Sequence, residues 1–343
     1  MSSFMLNATD RPGDQIALLV ILACLPGFLA LSWHFGWGVS LNVFICIFSS
    51  LIFEAVAVSL REKSLRYWLQ DFSTVLTAVL IGLSLPPLCP WWLPIIGCFV
   101  AILIGKHAYG GLGSNPFNPA MVGYATLLIC FPFSMSQWVA VDSSYSTEAQ
   151  NLTLIDSIMI IIGGIQQFDG ITGATPLEIF KQNNGLLVTQ LYIENEIFSE
   201  SGWAGVGWEW VNLGFLLGGL FLIITKIITW HAPAGMLGSI AILSLVFWDS
   251  GSSASLGSPI FHLFSGATMI GAFFIITDPV SSATSAAGRL TFGILIGVLV
   301  FFLRGWSDYP DGLAFAVLTA NFIAPTIDKY IVIIADSEKI DDK

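Results

Sequence analysis

Apolar residues in this chain are gathered into long runs separated by short polar stretches. Runs of this length are typical of membrane-spanning helices, since about 20 mainly apolar residues are needed to cross a bilayer core. The pattern predicts ten such helices, or nine if one of three segments that are short or broken by Pro and Gly does not span. Their approximate limits are 16–35, 40–59, 71–88, 91–107, 119–140, 211–230, 233–249, 260–277, 289–304 and 312–334.

The overall composition supports this interpretation. Hydrophobic residues make up 55% of the 343 residues, charged residues make up 10%, and the mean hydropathy is +0.81. Soluble domains carry about 25% charged residues, so the chain is predicted to be an all-α polytopic membrane protein in contact with lipid. Its net charge of −11 argues against a nucleic-acid partner.

Basic residues are unevenly distributed between the two predicted ends of the helices. Arg61, Lys63 and Arg66 fall between the second and third segments, and a cytoplasmic position for this loop places ten of the twelve Lys and Arg residues inside. Only Lys181 and Arg304 then fall outside. Cytoplasmic loops are enriched in Lys and Arg, so the distribution predicts that both termini are cytoplasmic.

A long polar stretch divides the chain into two membrane halves. Residues 1–140 would form a first half of about five helices, and residues 141–210 an acidic periplasmic loop. Residues 211–343 would form a second half of about five helices with a short cytoplasmic tail. Halves with an odd number of helices have opposite orientations, which is the arrangement of an inverted repeat. The apolar run at 158–162 predicts that the loop folds back onto the helices.

Most other polar features of the sequence are weak signals. The five cysteines lie in or beside apolar runs without a CxxC pair, and the four histidines are scattered, so no metal or iron–sulfur site is predicted. Glu54, Asp249 and Asp278 are acids within or near the spanning segments, where such residues are costly and often functional. The Asn-Pro elements at 115–119 are compatible either with helix-capping turns or with a pathway between the halves.

Residues 169–175, Asp-Gly-Ile-Thr-Gly-Ala-Thr, are the most informative polar segment. Its two glycines allow backbone conformations closed to other residues, so the segment can approach an enzyme or a cofactor closely. Thr175 is followed by Pro176 and, three residues on, by Glu178, which predicts a helix with Thr175 as its N-cap. Taken alone, the motif is compatible with a simple helix start.

The same seven residues, followed by Pro-Leu, strongly resemble the flavinylation motif of the NqrB/RnfD family of membrane proteins. RnfD proteins of Rnf complexes and NqrB proteins of Na⁺-pumping NADH:quinone reductases belong to this family, and the length of the chain suits the Rnf type better. Segments 113–120, 264–274 and 277–280 are similar to the family too, so the resemblance covers essentially the whole chain. The matching motif residues are Asp169, Gly170, Thr172, Gly173, Ala174 and Thr175.

The resemblance implies a covalent cofactor and a set of partners. Thr175 would carry FMN through a phosphoester made by a flavin transferase, which Asp169 is expected to help align. The flavin would relay electrons between other Rnf subunits of a bacterial inner-membrane complex that couples ferredoxin and NAD⁺ chemistry to Na⁺ or H⁺ movement. A second, non-covalent flavin such as riboflavin is a further implication, and the chain would not be a complete enzyme alone.

Two alternatives stay open on the sequence. One is the NqrB protein of the quinone reductase, with different partners. The other is a flavin-free channel or transporter for a small polar solute, built on the same plan of helices. Only the motif at 169–175 and the whole-chain resemblance separate this transporter from a flavoprotein.

Residues 265–268, Ser-Gly-Ala-Thr, are similar to the Thr-Gly-Ala-Thr that ends the motif. They fall within the eighth apolar segment, beyond the reach of a soluble transferase. Thr268 is therefore expected to serve close helix packing, and Thr175 is expected to be the attachment residue.

Overall fold

The computed structural model describes residues 13–62, 72–111, 113–140, 152–163, 171–183, 185–198, 203–309 and 311–341. These residues are mostly helical, as the apolar runs predict. The first part of the chain contains α1 (Gly13–Ala23), α2 (Leu25–Phe35), α3 (Trp37–Leu60), α4 (Ser73–Ser84), α5 (Trp92–Phe99), α6 (Pro119–Cys130) and α7 (Pro132–Ser136).

Short elements occupy the polar stretch, and long helices follow it. The stretch contains α8 (Leu154–Gly163), α9 (Pro176–Lys181) and α10 (Val188–Glu194), and two short strands, β1 (Trp138–Val139) and β2 (Thr172–Gly173), pair antiparallel beside them. The second part contains α11 (Trp208–Ile224), α12 (His231–Val246), α13 (Pro259–Phe264), α14 (Thr268–Ile270), α15 (Ala286–Trp306) and α16 (Leu313–Asp341).

Several of these helices have the length and composition of membrane spans. Four stretches of the described residues qualify by both criteria: Gln15–Phe35, Trp37–Leu60, Trp92–Tyr109 and Ala286–Trp306. Further apolar helices are shorter, such as α4 and α11. The fold is therefore that of a polytopic helical membrane protein, and the number of ten spans stays a prediction.

The predicted segment 119–140 is too long at its end. Helix α6 stops at Cys130 because Phe131 leaves the helical conformation, with φ −134° and ψ 52°, immediately before Pro132. A residue before proline is disfavoured in the α conformation. The chain then turns through α7 into strand β1.

Two helices contain π-helical turns. Helix α5 continues into Val100–Lys106, and α14 continues into Gly271–Ile275, both π-helical. Such turns are rare and frequently occur at functional sites.

The two parts of the chain are packed into each other. Helix α11 lies so close to α1 and α2 that a Cβ atom built on Gly218 would be 1.9 Å from the carbonyl oxygen of Ala23. A Cβ on Gly214 would be 2.7 Å from the carbonyl oxygen of Pro26. Glycine is required at both positions, because any side chain would separate α11 from the N-terminal helices.

The polar stretch folds back onto the helices, as its apolar run predicts. Ile160 and Ile161 of α8 are buried, and the carbonyl of Ile161 accepts a hydrogen bond from the backbone of Trp91 at 3.1 Å. The hydroxyl of Ser265 donates to the carbonyl of Ala204 at 3.0 Å. The stretch is therefore a folded cover on the bundle, at least over its described residues.

Candidate functional site

Thr175 caps the N-terminus of α9, as its sequence context predicts. It is half-buried and extended, with φ −73° and ψ 159°, and its Oγ1 accepts a hydrogen bond from the backbone of Glu178 at 3.3 Å. Among the described contacts, the Glu178 carboxylate accepts from Gln182 at 3.3 Å rather than reaching back to the cap. The hydroxyl therefore acts as an acceptor in the cap.

The residues before Thr175 are held by the two-stranded ladder. Thr172 pairs with Val139, and Gly173 pairs with Trp138. A Cβ atom on Gly173 would lie 3.0 Å from the Cα of Ala140, so glycine allows this close approach. Ala174 is exposed. Asp169 and Gly170, the first two residues of the motif, lie outside the described residues.

Helix α9 packs against the loop between α15 and α16. The Lys181 ammonium donates to the carbonyl of Tyr309 at 2.6 Å. Partial burial lowers the pKa of Lys181, and the neighbouring carboxylates of Asp308 and Glu178 oppose that shift. At the other end of α9, Leu177 packs tightly over Gly266. A Cβ atom built on Gly266 would lie 2.6 Å from Cδ1 of Leu177.

A cavity of about 480 Å³ opens beside Thr175. Both parts of the chain and the polar stretch contribute to its walls, which are mainly apolar. Ligand pockets commonly have volumes of about 300–1,000 Å³, so it is large enough for a planar aromatic molecule. Its lining includes Leu31, Ser84, Met121, Tyr124, Leu128, Ser136, Trp138, Thr175, Leu177, Glu178, Trp208, Phe215, Gly266, Ala267, Ile275, Asp308, Tyr309, Asp311 and Leu313.

Aromatic rings form one wall of this cavity. The rings of Trp138 and Trp208 have centroids 4.8 Å apart, and Phe35 packs edge-on against Trp208 at 5.3 Å. Rings held in a mutual cluster lose little conformational freedom when a flat ligand packs against them. Trp138 lies in β1 and Trp208 begins α11, 70 residues later in the chain. Their contact depends on the packing of distant elements, so the sequence alone does not indicate this wall.

The twin segment at 265–268 is buried and fully bonded. Thr268 is 0% exposed, and its hydroxyl donates toward the carbonyls of His262 and Ser265, at 2.7 and 2.9 Å. The same oxygen accepts from Arg304 at 2.9 Å. Thr268 is therefore buried and bonded within the packed helices, as expected, and that Thr175 is the attachment residue stays a prediction.

Arg304 holds the twin segment in place. Its guanidinium donates to the carbonyl of His262 at 2.9 Å and pairs with the Asp311 carboxylate at 3.0 Å. Asp311 also accepts from the backbone of Ala267 at 2.9 Å. The sequence pattern indicates only that Arg304 is one of two basic residues expected on the outer side. Its position near the end of an apolar run is the one sequence signal that its charge is buried and paired.

A second buried ionic cluster lies elsewhere. The Lys106 ammonium is 3.1 Å from a carboxylate oxygen of Glu54, and the His107 ring is 2.9 Å from the other. Lys106 also donates to the hydroxyls of Ser73 and Thr74, at 3.0 and 2.8 Å. Neither Glu54 nor Lys106 lines the cavity beside Thr175. The most embedded acid of the sequence is therefore paired with a cation.

Comparison with known proteins shows relatives along nearly the whole chain. The profile of the NQR2, RnfD, RnfE family matches residues 5–334. A protein of Cellvibrio japonicus is 51% identical over 325 residues, which are 94% of this chain and 90% of the relative. A protein of Aeromonas hydrophila is 47% identical over 336 residues, covering 94% of each. A protein of Pseudomonas aeruginosa PAO1 is 49% identical over 315 residues, covering 92% of this chain and 89% of the relative.

All three relatives are named as D subunits of an ion-translocating oxidoreductase complex. The family profile spans nearly the whole chain, and the matched part includes residues 169–175, the twin segment and every described wall of the cavity. The chain therefore belongs to the NQR2, RnfD, RnfE family.

Proposed function

We propose that this chain is the flavin-bearing membrane subunit of an Rnf-type ion-translocating electron transport complex, with FMN esterified to Thr175. The observation that carries the proposal is the position of Thr175. The residue is half-buried, caps a short helix with its hydroxyl and lines a cavity of about 480 Å³. The 47–51% identity to relatives named as D subunits of an ion-translocating oxidoreductase complex supports the assignment to such a complex.

The local geometry is compatible with a phosphoester. In the cap, Thr175 Oγ1 accepts a hydrogen bond, and an esterified oxygen keeps a lone pair for that bond. The helix cap and the attachment therefore use the same atom without conflict. Ala174 is small and exposed, so an enzyme can approach the acceptor from that side.

The cavity fits the ring of the cofactor. Its walls combine the indoles of Trp138 and Trp208 with aliphatic side chains from α6 and α11. A bound isoalloxazine ring would supply the redox chemistry, and the protein would supply orientation and electrostatics. Gly266 and Ala267 of the twin segment also line the cavity.

The proposed setting is the bacterial inner membrane. Both termini would be cytoplasmic, and residues 141–210 would lie on the periplasmic side, where a flavin transferase reaches Thr175 and Asp169 helps to align it. The flavin would relay electrons between other subunits of the complex, which exchanges electrons between ferredoxin and NAD⁺ and moves Na⁺ or H⁺. The three parts of the chain would be 1–140, 141–210 and 211–343.

Fluorescence of the denatured protein on a gel tests this proposal. The chain is produced in cells that contain the flavin transferase, together with the variants Thr175→Ala, Thr175→Ser and Thr268→Ala. The wild type and Thr268→Ala should give a fluorescent band, and Thr175→Ala should give none. The serine variant keeps a hydroxyl and should retain part of the signal.

The other outcomes each contradict a different part. A wild-type band without fluorescence would contradict covalent flavin and favour a flavin-free transporter. Loss in Thr268→Ala alone would show that the twin segment carries the flavin. Mass spectrometry of the intact protein and of flavins extracted from it would show whether riboflavin is bound as well.

A further inference from the structure

Tyr124 contributes a hydroxyl to the side chains that line the cavity beside Thr175. Tyr124 lies on the face of α6 that also presents Met121 and Leu128 to the cavity. Among the contacts of the described residues, its hydroxyl has no hydrogen-bond partner. Tyr124 is therefore a candidate hydrogen-bond donor to a ligand in the cavity beside Thr175.

The other hydroxyls and acids of the cavity are mostly occupied. Ser84 donates to the carbonyl of Leu80 at 2.8 Å, and Ser136 donates to that of Phe133 at 2.9 Å. Asp311 is paired with Arg304 at 3.0 Å. Carboxylates also have no proton to donate at neutral pH. These groups cannot serve as donors to a ligand without breaking existing bonds.

A second phenol in the cavity belongs to a different wall. Tyr309 lies in the loop that holds α9 through Lys181, so it is near the attachment end. Its ring packs against Phe315 with centroids 4.7 Å apart. We expect a ring attached through a ribityl arm and a phosphate to reach past Tyr309 to the wall that Tyr124 of α6 lines.

We infer that the Tyr124 hydroxyl donates a hydrogen bond to the isoalloxazine ring and thereby raises the reduction potential of the flavin; this inference rests on the proposed attachment of FMN at Thr175. The ring carries oxygen and nitrogen acceptors along one edge, and reduction increases their negative charge. A hydrogen bond to a charged acceptor is about twice as strong as one between neutral groups. Tyr124 would therefore favour the reduced ring, while it keeps its own proton.

The charges at the rim make such a donor useful. Glu178 and Asp308 line the cavity and carry negative charge, which opposes the arrival of an electron. Lys181 is close enough to both to offset part of that charge. A neutral donor inside the cavity stabilises the added electron without introducing a further buried charge.

The test is the midpoint potential of the covalent flavin in the purified complex, for the wild type and for Tyr124→Phe. Removal of the hydroxyl should leave the fluorescent band intact and lower the potential. A tenfold weaker preference for the reduced ring corresponds to about 59 mV for one electron. Thr126→Ala removes a hydroxyl of the same helix that already donates to the carbonyl of Val122 at 2.8 Å and does not line the cavity, so it should leave the potential unchanged. Tyr309→Phe should change it by much less than Tyr124→Phe.

Infrared spectroscopy provides a second measurement, which a merely structural role of Tyr124 would not affect. Reduced-minus-oxidised infrared spectra with isotope-labelled tyrosine should contain a tyrosine band, and Tyr124→Phe should lack it. Flavin attached normally, with no such band and an unchanged potential in Tyr124→Phe, would overturn the role of Tyr124 alone. A full shift in Tyr309→Phe instead would also overturn it. A wild-type chain without covalent flavin would overturn the proposed function as well.

Discussion

The backbone N–H of Asn118 donates a hydrogen bond to the side-chain oxygen of Asn321 at 3.0 Å, across 203 residues of sequence. The side-chain amide of Asn118 donates to the carbonyl of Ile275 at 3.2 Å. The side-chain amide of Asn321 donates to the carbonyl of Ser281 at 2.9 Å. Both asparagines are buried. Two side chains, one from each part of the chain, thus satisfy the start of α6, the end of the π-helical turn after α14 and a carbonyl in the loop before α15.

Removal of this junction should destabilise the protein. Asn321→Ala leaves the Asn118 N–H and the Ser281 carbonyl without their bonds, and each unsatisfied buried group costs about 1–3 kcal/mol. The thermal unfolding midpoint in detergent should fall clearly. Thr319→Ala is the control, since that hydroxyl is exposed and bonds only to its own helix at Phe315. Equal midpoints for the two variants would contradict a joining role for Asn321.

The buried pair of Glu54 and Lys106 leads to a second prediction. Lys106→Met leaves the buried Glu54 carboxylate with only the His107 ring beside it, and breaking a buried ion pair costs about 3–5 kcal/mol. The yield of folded protein should drop sharply. The double variant Glu54→Gln with Lys106→Met removes both charges and should recover much of the loss. If the double variant is as unstable as the sum of the single variants, the two residues are not coupled.

Gly266 is predicted to determine how closely α9 packs against the twin segment. It has φ +56°, and a Cβ there would lie 2.5 Å from Asp311 and 2.6 Å from Leu177. Gly266→Ala should therefore displace α9 and reduce the fraction of flavin-bearing protein several-fold, as measured by band fluorescence per mass of protein. Gly238→Ala, where a Cβ meets open space within α12, should behave like the wild type. Normal flavin content in Gly266→Ala would contradict this contact.

The orientation in the membrane is testable with fusions. A reporter joined after Ser144 should show periplasmic activity, and one joined after Glu62 should show cytoplasmic activity, because the basic loop after α3 is expected inside. Activity in the opposite compartments would reverse the proposed topology and place the acceptor motif out of reach of a periplasmic enzyme.

Local features of the site could be predicted from the sequence, whereas its partners could not. Thr175 and Pro176 predict the cap because capping depends on neighbouring residues, and Pro132 carries a signal that ends α6. The pairing of Glu54 with Lys106 and the position of Tyr124 in the cavity depend on how distant helices are packed. Periodicity indicates that a helix has a face, but it does not indicate which other helix covers that face.

The close packing of α11 has a consequence for synthesis of the chain. Its glycines rest on the backbone of α1 and α2, at Ala23 and Pro26. A ribosome makes α1 and α2 first, and nearly two hundred residues pass before Gly214 and Gly218 emerge. Until then the groove on α1 and α2 lies open to lipid or to membrane chaperones. A truncated chain that ends before α11 would keep that groove open permanently, so the N-terminal helices reach their final packing only after the acceptor motif has already been translated.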